Sequence, residues 1–204
     1  MTSVGLLGGT FNPPHLGHLV CAMEARDQLG LDRVYLVPAG VPPHKAIGDD
    51  PGTAVRVSLC ELAVKSEPGL DLLRDETRRA GPSYTVDTLR ALHEASPGDE
   101  LTFIVGGDQA LGLPDWREPE TVLSFARVAV AQRGDTSREA VLERCAGLTG
   151  ASQRLIFFDM PRLDISSSGL RARVASGRPI RHLVPAAVAE RIAELDLYRA
   201  GATV

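Results

Sequence analysis

Short runs rich in valine, leucine and isoleucine alternate with segments of helical periodicity along the chain, and this alternation constrains the fold most. The strand-like runs cover residues 4–7, 34–37, 70–73, 101–105, 127–131 and 155–158. Strands this apolar are typical of a parallel sheet that helices cover on both faces. We therefore predict an α/β fold, a Rossmann-like doubly wound sheet. Its ligands should bind beyond the carboxyl ends of the strands.

Length and composition predict one domain that spans residues 1–204, because no repeat, low-complexity tract or linker interrupts the 204-residue chain. The net charge of −4 predicts no nucleic acid partner, and no apolar run approaches membrane-spanning length, so no membrane partner is expected. Cys21, Cys60 and Cys145 are widely spaced, which predicts buried thiols without disulfides and a reducing cytoplasm. Composition leaves the oligomeric state open, a homo-oligomer included.

Two polar segments predict where helices begin. Asp50 before Pro51 is typical of an N-cap followed by proline at the first helical position. Ser83 or Thr85 is expected to cap a second helix, with Asp87 stabilising its first turn through the helix dipole.

Residues 8–18 read G-G-T-F-N-P-P-H-L-G-H and join the first strand to the first helix. A strand that ends in glycines and opens a helix presents unpaired backbone N–H groups and the helix dipole to a phosphate. His15 and His18 can donate hydrogen bonds to phosphate oxygens. Gly17 between them allows the backbone to approach a ligand closely. A tight turn with two surface histidines is the purely structural alternative.

Further polar groups follow the other strands. Lys45, one of only two lysines, lies in the P-P-H-K segment after the second strand and could contact a polyphosphate as a point charge. Asp108 follows Gly106 at the end of the central strand, where it could reach a ribose hydroxyl or hydrated Mg²⁺, or simply cap a helix. Trp116 is the only tryptophan, and its proline-broken, polar surroundings predict that it is exposed.

The segment I-S-S-S-G-L-R at residues 165–171 is the second phosphate-binding candidate. Its serines can cap a helix, and Arg171 lies one turn inside that helix. An anion over the helix mouth would meet both the dipole and a guanidinium group. A plainly capped helix is again the structural alternative.

In the same order along residues 4–173, these motifs resemble those of the bacterial nicotinate mononucleotide adenylyltransferases, a family of the nucleotidylyltransferase superfamily. The resemblance includes G-G-T-F-N-P-P-H-L-G-H, P-P-H-K, S-Y-T-V-D-T, G-G-D and I-S-S-S-G-L-R. The chain has Asn12 where aspartate is common, Pro14 where isoleucine is frequent, Ser168 in place of threonine and Gly169 where aspartate is frequent. None of these departures touches the glycines or histidines of the first motif.

The resemblance implies transfer of the adenylyl group of ATP to nicotinate mononucleotide, which gives nicotinate adenine dinucleotide and pyrophosphate in NAD biosynthesis. It implies Mg²⁺ that arrives with ATP, without a dedicated metal site of protein side chains. Catalytic contacts to the phosphates are implied for His15, His18, Lys45 and Arg171. ATP binding is implied for Gly8, Gly9, Thr10, Phe11, Gly106, Asp108, Arg133, Ile165, Ser166 and Ser167. Binding of nicotinate mononucleotide is implied for Asn12, Tyr84, Thr85 and Trp116.

We also expect the side chains of Lys45 and Arg171 to face solvent when ATP is absent. Three alternatives to this function stay open. A related enzyme could act on phosphopantetheine, although S-Y-T-V-D-T and Trp116 suit a flat aromatic acid better. The enzyme could also prefer nicotinamide mononucleotide. A catalytically silent nucleotide-binding regulator could keep the fold, although the intact histidines and Lys45 argue against it.

Overall fold

The computed structural model describes residues 1–43, 48–132 and 136–199. In these residues six strands form one sheet in the spatial order β3-β2-β1-β4-β5-β6, and all neighbouring strands are parallel. The strands are β1 (Ser3–Gly9), β2 (Arg33–Pro38), β3 (Leu70–Leu72), β4 (Glu100–Gly106), β5 (Ala126–Gln132) and β6 (Leu155–Asp159). Each predicted strand is present, and the parallel doubly wound sheet is confirmed.

Helices connect the strands and cover both faces of the sheet. Those before β4 are α1 (Leu16–Leu29), α2 (Thr53–Val64), α3 (Asp75–Arg78) and α4 (Thr85–Ala95). Those from β4 to β6 are α5 (Gly107–Leu111), a 3₁₀ turn (Leu113–Asp115), α6 (Pro119–Phe125), α7 (Arg138–Cys145) and α8 (Ala151–Arg154). The last two are α9 (Ser167–Ala175) and α10 (Ala186–Glu194).

The core consists of two apolar clusters, one on each face of the sheet. Neighbouring residues of β1 belong to different clusters: Leu7 packs with Leu19 of α1 and Leu59 of α2, whereas Leu6 packs with Leu89 of α4. Successive side chains of a strand point to opposite faces, so a strand buried on both faces must be apolar throughout. This explains the unbroken apolar runs in the sequence.

The order of the strands reverses between β1 and β4, which lie side by side at the centre of the sheet. The chain therefore leaves these two strands toward opposite faces, and a crevice opens beyond their carboxyl ends. The glycine-rich segment after β1 and Gly106 at the end of β4 meet at this crevice. The predicted location of the ligand site follows from this topology.

Two helix starts differ from those predicted. Helix α2 begins at Thr53 after Gly52, and the Asp50 carboxylate instead accepts hydrogen bonds from the Gly52 N–H and from Arg56. Helix α4 follows Tyr84, whose side chain makes no capping bond. The predicted cap Ser83 does not serve, because its hydroxyl accepts a hydrogen bond from the Gly40 N–H. In both cases a tertiary contact takes the polar side chain that local sequence assigns to the cap.

The three cysteines are buried, and none of them forms a disulfide. Burial raises the pKa of the Cys60 and Cys145 thiols, so their reactive thiolate forms are disfavoured. In the part of the chain that the structure describes, no helix has the length and apolar character needed to cross a membrane.

Candidate active site

A cavity of about 880 Å³ lies at the carboxyl ends of β1 and β4. It receives residues from both ends of the chain, among them every predicted site residue within the described ranges. Those residues are Gly8, Gly9, Thr10, Phe11, Asn12, His15, His18, Tyr84, Thr85, Gly106, Asp108, Trp116, Ile165, Ser166, Ser167 and Arg171. Lys45 and Arg133 fall outside the described residues.

The two histidines stand together at the start of α1. His15 precedes the first helical residue, and its imidazole stacks on that of His18 with ring centroids 3.7 Å apart. The His15 backbone N–H donates to Nδ1 of His18 at 3.2 Å. Because Nδ1 accepts, a neutral His18 imidazole carries its proton on Nε2. His18 can therefore offer an N–H donor to an anion in the cavity.

At two glycines of the first motif a side chain would crowd a neighbouring ring. A Cβ on Gly17 would lie 3.1 Å from the His15 ring, so glycine lets that ring lie flat against the helix start. A Cβ on Gly8 would lie 2.9 Å from Cζ of Phe103 on β4. The glycine spacing in the motif thus serves close packing around the histidines and across the central strands.

The loop after β1 is held in an uncommon conformation. Phe11 has a positive φ of 50°, and its buried ring packs edge-on against His18 with centroids 4.9 Å apart. The Asn12–Pro13 peptide bond is cis. A non-glycine residue at positive φ persists only where its surroundings hold it, and such residues cluster at functional sites.

Arg56 of α2 fixes this loop from behind the cavity, and its side chain is 0% exposed. Its guanidinium group makes five hydrogen bonds of 2.7–3.1 Å, to the carbonyl oxygens of Thr10, Ala39 and Gly40, the hydroxyl of Thr53 and the carboxylate of Asp50. These partners lie after β1, after β2 and at the start of α2. One buried side chain therefore sets the relative positions of three segments around the cavity.

Asn12 lines the cavity, yet its side chain bonds to the protein. The amide nitrogen donates to the carbonyl oxygens of Gly48 and Asp49 at 3.0 and 3.2 Å, and the amide oxygen accepts from the Tyr198 hydroxyl at 2.7 Å. Asn12 is 2% exposed, so these contacts dominate its surroundings. Its contact with a mononucleotide stays a prediction.

The N-terminus of α9 faces the loop after β1. Ser166 is the N-cap, and its hydroxyl accepts from the Gly169 N–H at 3.1 Å. The Ser167 hydroxyl donates to the carbonyl oxygen of Pro13 at 2.8 Å. Both phosphate-binding candidates are thereby joined directly, although more than 150 residues separate Pro13 from Ser167.

The prediction that the Arg171 side chain faces solvent is wrong. That side chain is only 19% exposed. One terminal nitrogen donates to the Asn12 carbonyl oxygen at 2.9 Å, and Nε lies 3.5 Å from a carboxylate oxygen of Asp49. The packing of α9 against the loop after β1 draws the guanidinium group inward. It still reaches the cavity wall, where its positive charge can meet an anion.

The opposite end of the cavity is aromatic. Trp116 is partly buried and contacts Phe103 edge-on, with centroids 5.8 Å apart. Tyr84 immediately precedes Thr85, the first residue of α4, and both residues line the cavity. The Arg117 guanidinium lies over the Tyr84 ring, 4.7 Å from its centroid. A flat ring could bind here with an anionic substituent directed toward the helix mouth.

Glu76 of α3 forms a buried wall of the cavity at 6% exposure. Burial raises the pKa of its carboxyl group, while a hydrogen bond from the Thr88 hydroxyl and the nearby Arg79 oppose that shift. The carboxylate is thus held near a substrate cavity with its charged form partly disfavoured.

Asp108 is exposed in the first turn of α5 rather than at its N-cap, which is Gly106. The capping alternative for Asp108 is therefore wrong. Its carboxylate accepts a hydrogen bond from the Thr136 hydroxyl at 3.5 Å. Within the described ranges, no three side chains of histidine, cysteine, aspartate or glutamate are grouped so that they could hold a metal ion.

Sequence reasoning missed Arg56 and Tyr198, the two side chains that hold the site from outside. The pattern of α2 signals only an amphipathic helix, in which an arginine is expected on the solvated face. Tyr198 lies 186 residues from Asn12, and no local pattern connects them. The signal that could have identified Arg56 was its alignment with the buried face of α2, which also carries Leu59 and Cys60.

Groups suited to bind phosphate come from the two ends of the chain and converge on a switch point of a parallel sheet, an arrangement typical of nucleotide-binding α/β proteins. The family model described as cytidylyltransferase-like matches residues 6–173. A relative from Trichlorobacter lovleyi, named "Probable nicotinate-nucleotide adenylyltransferase", is 40% identical over 96% of this chain and 99% of its own length. A relative of the same name from Roseiflexus is 42% identical over 96% of this chain and 98% of its own. The chain belongs to the nicotinate-nucleotide adenylyltransferase family.

Solved structures share the fold at low sequence identity. The nicotinic acid mononucleotide adenylyltransferase of Plasmodium falciparum, complexed with NaAD, superposes with a TM-score of 0.79 at 17% identity. The superposition covers 97% of this chain and 98% of that one. The arrangement of strands and helices described above is therefore that of a known adenylyltransferase fold.

Proposed function

We propose that this enzyme transfers the adenylyl group of ATP to nicotinate mononucleotide, with release of pyrophosphate. The observation that carries the proposal is one cavity that joins a cationic, glycine-rich end to an aromatic end at a helix N-terminus. The names of the close relatives support the same reaction. The three buried cysteines, without disulfides, support a location in a reducing cytoplasm.

The cationic end would bind ATP. Backbone groups of Gly8, Gly9, Thr10 and Phe11, together with Gly106, Asp108, Ile165, Ser166 and Ser167, are proposed to hold the nucleotide, with Arg133 in the same role. His15, His18 and Arg171 would contact the phosphates, with Lys45 at the outer phosphates. The other end would bind the mononucleotide through Tyr84, Thr85 and Trp116, with Asn12 shaping the loop between the two substrates.

Chemistry at this site requires alignment more than acid–base catalysis. The 5′-phosphate of the mononucleotide is already ionised at neutral pH, so its oxygen can attack the α-phosphorus of ATP as the bond to pyrophosphate breaks. The Nε2–H group of His18 would stabilise charge that develops on the α-phosphate, and Arg171 would stabilise the departing pyrophosphate. No covalent enzyme intermediate is needed.

Mg²⁺ is proposed to enter with ATP, bound mainly by phosphate oxygens and water. The residues present fit this role, since the exposed carboxylate of Asp108 lines the cavity and can accept hydrogen bonds from metal-bound water. The metal would neutralise phosphate charge, and Asp108 would bind one of its waters or the ribose.

The test is pyrophosphate release from ATP with three acceptors: nicotinate mononucleotide, nicotinamide mononucleotide and phosphopantetheine. We expect kcat/KM for the nicotinate compound to exceed that for the nicotinamide compound by at least about 100-fold, because an amide would leave a helix N–H group unpaired. Phosphopantetheine should not react. Release with none of the three acceptors would contradict the proposal and favour the silent regulator, and preferred turnover of phosphopantetheine would identify the sibling activity.

A further inference from the structure

Arg117 is half-exposed at the aromatic end of the cavity, next to Trp116. Its guanidinium carbon lies 4.7 Å from the centre of the Tyr84 ring, a cation–π distance. Tyr84 directly precedes Thr85, the first residue of α4. The arginine therefore places a positive charge beside the helix mouth at which the acid group of the mononucleotide is proposed to bind.

Arg117 makes only long ion pairs with its two neighbouring carboxylates. Its closest approaches to Asp87 and Glu118 are both 3.8 Å, and within the described residues it makes no hydrogen bond. Arg90 instead binds the same two carboxylates, at 3.2 and 2.9 Å. Arg90 thus satisfies the acidic pair, and Arg117 keeps donors available to a ligand.

Four charged side chains form a connected cluster beside this end of the cavity. Asp87 and Glu118 carry two negative charges, and Arg90 and Arg117 carry two positive ones. Of these two arginines, Arg117 lines the cavity. Loss of its charge would remove the positive group of this cluster that lies at the cavity wall, which would weaken the attraction of a bound carboxylate and act far less on a neutral amide.

We propose that Arg117 is a specificity-determining residue, whose charge favours a mononucleotide with a ring carboxylate over one with a carboxamide. The inference rests on the proposed function. It names a side chain that would bind the ring carboxylate in addition to the backbone N–H groups of α4. An arginine is suited to this role because it stays charged at all relevant pH values and can bind a carboxylate through two parallel hydrogen bonds.

The experiment compares kcat/KM for nicotinate and nicotinamide mononucleotides at saturating ATP in the wild-type enzyme and three variants. In Arg117→Gln the acid-to-amide ratio should fall about five- to tenfold, mainly through a higher KM for the acid, since the contact is charge-assisted but partly solvated. Arg117→Lys should keep part of the preference. Arg90→Gln is the matched control, because it removes a charge from the same carboxylates outside the cavity lining.

An unchanged ratio in Arg117→Gln, or an equal fall in Arg90→Gln, would overturn the proposal. A purely structural role would lower both kcat/KM values together and leave their ratio unchanged. Calorimetric binding of each mononucleotide to the wild-type and Arg117→Gln enzymes measures the same ratio without turnover. Absence of turnover in the wild-type enzyme would therefore count against the proposed function, while the binding ratio still decides the role of Arg117.

Discussion

Replacement of Arg56 by methionine should destabilise the enzyme strongly. Methionine keeps an unbranched side chain in the core but removes all five hydrogen bonds of the guanidinium group. The variant removes the guanidinium donor from three carbonyl oxygens, and the Asp50 carboxylate keeps the Gly52 N–H but loses its charged partner. Loss of one member of a buried ion pair costs about 3–5 kcal/mol, and partial solvent access to Asp50 keeps the loss within that range.

Thermal unfolding followed by circular dichroism measures this loss. For a chain of this length each kcal/mol shifts Tm by about 2–4 °C, so Arg56→Met should lower Tm by about 6–20 °C. Arg33→Met is the matched control, because the Arg33–Asp71 pair is about half exposed at 3.3 Å. It should cost no more than about 1 kcal/mol.

A Tm for Arg56→Met within about 2 °C of the Arg33→Met value would refute the argument that the buried guanidinium group of Arg56 holds the site together. If the methionine variant fails to fold, Arg56→Lys supplies the same test, since lysine keeps the charge but lacks the planar fork. The Tm of Arg56→Lys should lie between the wild-type Tm and the value expected when all five hydrogen bonds are lost. A lysine variant as stable as the wild-type enzyme would be equally contradictory.

Three further predictions follow from individual contacts. His18→Ala should lower kcat by about 100-fold or more through loss of a transition-state donor, and a normal kcat with an intact circular dichroism spectrum would exclude that role. Tyr198→Phe removes only the hydroxyl bonded to Asn12 and should lower the free energy of unfolding by about 0.5–1.5 kcal/mol, measured by urea titration. Burial raises the pKa of Glu76, so wild-type stability should fall relative to Glu76→Gln as pH rises from the ordinary glutamate pKa through the raised one. A stability difference that stays constant with pH would show that Glu76 does not titrate this way.

The sequence by itself determined the class of fold and the positions of the chemistry. Apolar runs that alternate with helices require a sheet buried on both faces, and loops after its strands must then carry the polar residues. The segments at residues 8–18 and 165–171 could be recognised because glycine, histidine and serine requirements at a helix mouth are local. Such requirements leave a pattern within a few neighbouring residues.

Only the tertiary structure decided which of these segments meet and what holds them. The order β3-β2-β1-β4-β5-β6 brings Gly8 to Phe103 and the α9 serines to Pro13, contacts that depend on the packing of the whole sheet. Arg56 takes Asp50 away from its expected capping position, because a fully buried guanidinium group requires a carboxylate more strongly than a helix end does. Tyr198 binds Asn12 across almost the entire chain. Local sequence cannot encode such partners, since their free energy arises only when distant segments are already packed together.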